Sequence, residues 1–99
     1  MNTSFTARHF NASERLQEHS LNAVKKLERY YDGILDCDIV LSPNESHNNP
    51  QGCELTVKVT GSILVASETA ATYEQAMGQA VDNMSRQLKK YKEKRFAKG

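Results

Sequence analysis

Alternation of apolar and polar positions is clearest in the middle of the chain. Leu35, Cys37, Ile39 and Leu41 alternate with Asp36, Asp38, Val40 and Ser42; Cys53, Leu55, Val57 and Val59 alternate with Glu54, Thr56, Lys58 and Thr60. A period of two puts one set of side chains on one face, so each run predicts a strand with a single apolar side. Residues 43–52, with Pro43 and Pro50 towards their margins, have the composition of a loop. Gly61-Ser62 suits a tight hairpin turn, and residues 63–67 return as another strand. The run Phe5-Thr6-Ala7-Arg8-His9-Phe10, within residues 2–10, predicts an opening strand.

Two segments change period. Leu16, Ser20, Ala23, Val24, Leu27 and Tyr31 draw one stripe along a helix that Asn11 or Ser13 can cap. Gly33 is its expected stop, because glycine takes the left-handed conformation cheaply. Tyr73, Met77, Ala80, Val81, Met84, Leu88 and Tyr91 mark a longer helix with Thr72 as N-cap. Beyond Tyr91 the stripe weakens, since Phe96 is off its register, and residues 92–99 are expected to form a frayed basic tail. The predicted order is βαβββα: an α+β fold in which two helices cover the one apolar face of a four-stranded sheet.

Ninety-nine residues suffice for one domain, so residues 1–99 are read as a single unit. No internal repeat and no apolar run of the roughly 20 residues needed for a membrane-spanning helix is present. Met1-Asn2-Thr3-Ser4-Phe5 lacks the basic-then-apolar layout of a signal peptide, and a cytoplasmic location is expected. Cys37 and Cys53 then fit as reduced core residues.

A formal net charge of +1 conceals an uneven distribution. Residues 86–99 hold Arg86, Lys89, Lys90, Lys92, Lys94, Arg95 and Lys98 against Glu93, a net of +6. Residues 32–85 hold eight acids (Asp32, Asp36, Asp38, Glu45, Glu54, Glu68, Glu74 and Asp82) and one base, Lys58, a net of −7. Arg86, Lys90 and Lys94 are spaced i, i+4, i+8 and line one helical face, flanked by Lys89 and Lys92. Charge runs are usually solvated faces, but such a face carries paired acids and this one has almost none, so an anionic partner is expected. Lys25, Lys26 and Arg29 cluster at the end of the first helix and are read as part of the same surface, with Arg8 and His9 at its border. Cations at a helix C-terminus also have a dipole explanation, which makes that trio the weaker signal.

Enzymatic readings find no support. His9, His19 and His47 are scattered over a strand end, a helix and a loop, and no nucleophile motif or glycine-rich phosphate loop accompanies them. His47, Cys53 and the nearby acids match no zinc spacing, so neither cofactor nor metal is expected. Tyr30, Tyr31, Tyr73 and Tyr91 fall in or beside the core stripes and are assigned to packing rather than to base stacking. Contacts to a nucleic acid are therefore expected to go mostly to phosphates.

The ordered set of segments resembles a known family, the bacterial ribosome hibernation promoting factors and ribosome-associated inhibitors. The family's I-T-G-R-H opening looks like Phe5-Thr6-Ala7-Arg8-His9, and its K-L-E plus aromatic is similar to Lys26-Leu27-Glu28-Arg29-Tyr30. Ile39-Val40-Leu41 and Val65-Ala66-Ser67 are similar to its strands. Its closing L-x-R-Q-L-x-K-x-K-x-K reads Met84-Ser85-Arg86-Gln87-Leu88-Lys89-Lys90-Tyr91-Lys92-Glu93-Lys94. The resemblance implies a fold like that of double-stranded-RNA-binding domains. It also implies binding to 16S rRNA of the small (30S) subunit, in the channel of messenger and transfer RNA. Translation would be blocked under stress or in stationary phase, in 70S ribosomes and inactive 100S dimers, with a ribosome modulation factor as a further partner. The free protein would be a monomer that contacts no membrane. Lys26, Arg86, Lys90 and Lys94 are the rRNA-facing bases the resemblance implies, with Lys89 beside them; Lys25, Arg29 and Arg8 are added from spacing. Family members often carry a base where Ala23 and Asn83 stand, and Thr72-Tyr73-Glu74 replaces a D-M-Y run. Ending at Gly99 without an acidic tail or second domain, the chain looks like the short form. The competing reading is a protein-interaction module whose acidic sheet region docks a non-ribosomal partner.

Overall fold

The computed structural model describes residues 1–96; the last three residues of the expected tail, 97–99 with Lys98, lie outside the described residues. Strand β1 (Asn2–Ala7) leads to helix α1 (Glu14–Lys25) and a 3-10 turn (Lys26–Arg29). Strands β2 (Asp36–Pro43), β3 (Gln51–Val59) and β4 (Ser62–Ala70) follow, then helix α2 (Tyr73–Phe96). The sheet order is β1-β2-β3-β4, with β1 parallel to β2 and the remaining pairs antiparallel. The α+β order βαβββα is as the periodicities predict.

One face of the sheet is apolar and both helices cover it. Cys37, Ile39 and Leu41 of β2 and Cys53, Leu55, Val57 and Val59 of β3 are buried against Leu16, Val24 and Leu27 and against Met77, Ala80, Met84 and Leu88. The other face has no helix over it; Ile63 and Val65 of β4 stand exposed there. Local chemistry sets the helix starts. Ser13 Oγ accepts from the Leu16 backbone N–H at 3.1 Å, which selects Ser13 over Asn11 as the cap, and Thr72 Oγ1 accepts from the Gln75 N–H at 3.1 Å.

Element ends depart from the expected ones for physical reasons. β1 stops at Ala7, and His9, at φ 67°, turns the chain away from the sheet. The loop of residues 43–52 is shorter than its composition suggests, because Pro43 pairs with Gln51 and Ser42 with Gly52 as the last rungs of β2 and β3. The β3–β4 turn is Thr60-Gly61, with Gly61 at φ 79°, and Ser62 already pairs with Val59. Gly33 is not left-handed. A Cβ there would lie 2.5 Å from the Tyr31 ring, so close packing under that ring accounts for it. α2 continues as helix past Tyr91 to Phe96, so residues 92–96 of the expected frayed tail are helical.

One core position is polar. Ser20 is fully buried on α1 and its Oγ has no hydrogen-bond partner among the described residues. A buried hydroxyl without a partner keeps its desolvation penalty. Ser20→Ala is expected to raise the unfolding free energy by about 1 kcal/mol, read from the urea midpoint at an unchanged m-value; a loss of stability would show that the hydroxyl has a partner after all.

Candidate nucleic-acid interface

Arg86, Lys89, Lys90 and Lys94 emerge from the side of α2 that its core stripe leaves to solvent. Met84 and Leu88 are fully buried, while Arg86, Lys89, Lys90, Lys92, Lys94 and Arg95 are exposed. At about 100° per residue, steps of four drift by roughly 40°, so the Arg86–Lys90–Lys94 row winds from the crest of the helix towards β4. Lys90 and Lys94 accordingly line a groove with Ser62 and Leu64. Lys89 stands one turn beyond Ser85, which lines a different groove, between α1 and α2. Lys26 lines that second groove with His19, Ala23 and Tyr30. Lys26 and Lys89 thus occupy one flank of α2, Lys90 and Lys94 the other, with Arg86 on the crest. Lys25 and Arg29 are exposed at the end of α1 and in the 3-10 turn. Among the described residues, no side-chain hydrogen bond or ion pair engages Lys26, Arg86, Lys89, Lys90 or Lys94. Their charge is available to a partner.

Arg8 does not join this surface. It lines a groove with Val40, Ser42, Glu54 and Thr69, the residues that β2, β3 and β4 turn away from the helices. Because Phe5 and Ala7 are partly buried on the helix side, strand alternation sends Arg8 to the opposite side. His9 leaves in the left-handed conformation just beyond it. The border role expected for this pair is therefore corrected.

The acids do not form one patch. Glu74 and Asp82 line the α1–α2 groove, whereas Glu68 accepts from Asn83 Nδ2 at 2.8 Å beneath α2. Asp38 accepts from Ser4 Oγ at 2.6 Å on the outer sheet face, where Lys58 and Arg8 offset the carboxylates. Asn83 and Ala23, where related sequences often carry bases, have other roles: Asn83 links Glu68 to Gln87, and Ala23 lines the α1–α2 groove.

Two residues outside the spacing argument belong to the surface. Tyr30 is 39% exposed and lines the α1–α2 groove, so its assignment to the core is corrected. The change from α-helix to 3-10 turn at Lys26 rephases the stripe, leaving Tyr31 to pack edge-on against Tyr91 at 5.4 Å. Gln87 is the other; its Nε2 donates to the carbonyl of Val65 at 2.8 Å and to Asn83 Oδ1 at 2.9 Å. A glutamine between Arg86 and the core residue Leu88 gives little sequence signal beyond its place in the family-like pattern.

The thiols are core groups. Burial pushes Cys37 up to about 11 and Cys53 up to about 12, with smaller help from Asp38 at the first and from Cys37, Glu54 and Glu68 at the second. At pH 8 a two-unit rise lowers the thiolate fraction about a hundredfold. Native protein should react with a disulfide reagent at least that much more slowly than urea-unfolded protein; equal rates would place a thiol at the surface. The linkage has a definite sign. Folded values above the unfolded 9.0 mean that this contribution to stability is complete below pH 9 and is lost as pH rises from 9 towards 11–12.

A four-stranded sheet under two helices, one of them carrying an exposed row of cations, defines a small α+β domain. The profile of the family described as sigma 54 modulation protein / S30EA ribosomal protein matches residues 3–95. The chain belongs to that family. It is 30% identical over 89 residues to the ribosome hibernation promotion factor of Deinococcus radiodurans, covering 88% of this chain and 47% of that protein. The chain thus spans about half the length of that relative. It is 24% identical over 94 residues to the ribosome hibernation promoting factor of Pseudomonas putida, covering 95% of this chain and 89% of that one. Among solved structures, the Thermus thermophilus Protein Y N-terminal domain superposes with a TM-score of 0.79 at 25% identity, over 92% of this chain and 99% of that one. A ribosomal subunit interface protein from Coxiella burnetii gives 0.84 at 21% identity, over 93% and 98%, a likeness of fold.

Proposed function

We propose that the protein is a ribosome hibernation factor that binds 16S rRNA in the messenger and transfer RNA channel of the small subunit and blocks translation by occupying it. The observation that carries this reading is the exposed row Arg86, Lys90 and Lys94 on α2, whose side chains have no hydrogen-bond or ion-pair partner among the described residues, on a fold of this family. Lys26, Arg86, Lys89, Lys90 and Lys94 are its phosphate contacts, with Lys25 and Arg29 at the margin; Arg8, on the far face, is left out. Nothing need react: a rigid domain held by phosphates excludes messenger and transfer RNA sterically, in the cytoplasm where ribosomes work. Stress or stationary phase is the setting, and stabilised inactive dimers, with or without a modulation factor, are its consequence. The dispersal of the acids over both faces of the sheet and the α1–α2 groove removes the single acidic surface that a protein-docking reading requires.

Co-sedimentation with small subunits across a salt series tests the proposal. With about four of these cations on phosphates at any one time, the slope of log affinity against log salt is expected near −3, taking 0.7 to 0.9 per contact. Binding indifferent to salt, or equally tight on large subunits, would overturn it.

A further inference from the structure

Of three grooves on the described surface, one differs in charge from the others. The outer sheet groove sets Arg8 beside Glu54, and the α1–α2 groove sets Lys26 beside Glu74 and Asp82. The third, with a volume of about 260 Å³, is lined by Ser62, Leu64, Gln87, Lys90, Tyr91 and Lys94, two ammonium groups and no carboxylate. An anion is accommodated there without a repelling neighbour in the lining. The walls are also fixed. Tyr91 donates its hydroxyl to the Thr60 carbonyl at 2.6 Å, and its ring packs on Tyr31. Val65 O can only accept, so the atom facing it must be Gln87 Nε2, and its two hydrogens are taken by Val65 and by Asn83 Oδ1. Asn83 is in turn held by Glu68 Oε2. That leaves Gln87 Oε1 as an acceptor on the groove wall with no partner among the described residues.

We propose that this groove seats one unstacked nucleotide of the bound RNA. Its phosphate lies against Lys90 and Lys94, its base against Leu64 and Tyr91, and an amine on the base edge donates to Gln87 Oε1. The inference rests on the RNA-binding reading above and deepens it: lysines alone grip phosphates regardless of sequence, whereas an acceptor held in place beside an apolar wall distinguishes base edges. The volume is just below the roughly 300 Å³ at which ligand pockets begin, enough for a single base and no longer segment. Asn83 and Glu68 are positioning residues, since they act only through the orientation of Gln87.

The test is an NMR titration of the full chain with adenosine 5′-monophosphate, its purine analogue lacking the amine, and ribose 5-phosphate. The adenosine nucleotide should bind about three- to tenfold more tightly than the analogue, the worth of one hydrogen bond. Ribose 5-phosphate should be weaker again by about tenfold, with all shifts centred on residues 62–64 and 87–94. Gln87→Leu should erase the difference between the two nucleotides and leave ribose 5-phosphate unchanged. Asn83→Ala should narrow that difference, a readout that a merely structural role would not move. Equal affinity for all three probes, discrimination that survives Gln87→Leu, or shifts elsewhere would overturn the nucleotide site. Intact co-sedimentation with small subunits alongside such a failure would sink this inference alone; loss of co-sedimentation by the unaltered chain would sink the reading beneath it.

Discussion

Replacing Arg86, Lys90 and Lys94 together with glutamate is expected to abolish co-sedimentation with small subunits while moving the melting temperature by less than about 5 °C. The three side chains are exposed and have no hydrogen-bond or ion-pair partner among the described residues, so their replacement breaks no such bond there. Two small effects on the helix oppose one another. Reversal relieves none of the like-charge repulsion within the row, since three acids repel as three bases do, but it creates one opposite-charge pair within α2, between position 86 and Lys89 three residues on. Acids in the last turns of a helix meanwhile oppose its macrodipole by about 0.3–1 kcal/mol each. Binding has no such compensation. Removing three of about four phosphate contacts takes away most of the counterion release, and the new carboxylates repel the RNA backbone. With the unaltered chain, raising salt from 50 to 200 mM should lower affinity roughly 60-fold if the slope is near −3. The variant should show no binding at the lower salt. Retained inhibition of translation by a folded triple variant would remove α2 from the interface.

That experiment addresses a part of the molecule that was legible early. An i, i+4, i+8 row of bases is set by helix geometry alone, and α2 is helical throughout that row. β2 and β3 were equally legible, because each buries one face and exposes the other over a full strand. β4 was read only as residues 63–67, although it continues to Ala70. Its helix-facing set includes Glu68, a residue that looks solvent-seeking until Asn83, fifteen positions away on α2, satisfies it. Long-range pairing of that kind leaves no mark on local periodicity. The position of each cation is a similar case. Spacing shows that Lys90 and Lys94 share a face, but the docking of α2 beside β4 decides that they overlook Ser62 and Leu64 while Lys26 overlooks Ser85. Arg8 was within reach of a stricter argument. Counting alternation outward from Phe5 places it on the far side, and reading the run through to Phe10 as one strand obscured the exit at His9.

The same helix holds the fold together and presents the charge, and Leu88 joins the two functions. It is fully buried, between Gln87 and Lys89 in sequence and one turn beyond the buried Met84. Past it, the half-buried Tyr91, with its hydroxyl on the Thr60 carbonyl, ties the last turns of α2 to the β3–β4 turn. Leu88→Ala is expected to cost about 2–5 kcal/mol, the range for a leucine deleted from a close-packed core. At roughly 4–8 °C per kcal/mol for a domain of this size, a loss of 3 kcal/mol lowers the melting temperature by about 12–24 °C. Val65→Thr, on the uncovered sheet face, should change stability by only about 0.5 kcal/mol. The binding consequence is separable from the unfolding one. At temperatures where the variant is still folded, the end of α2 has lost its last fully buried leucine, so Lys90 and Lys94 must be ordered again when RNA binds. Ribosome affinity should therefore fall before the fold does. Tyr91→Phe, which keeps the ring and removes the bond to Thr60, should show a smaller version of the same effect, about 1 kcal/mol in stability. A Leu88→Ala protein as stable as the parent would mean that the end of α2 is not part of the cooperative core, and that its cations reach RNA from a loosely held helix rather than a rigid one.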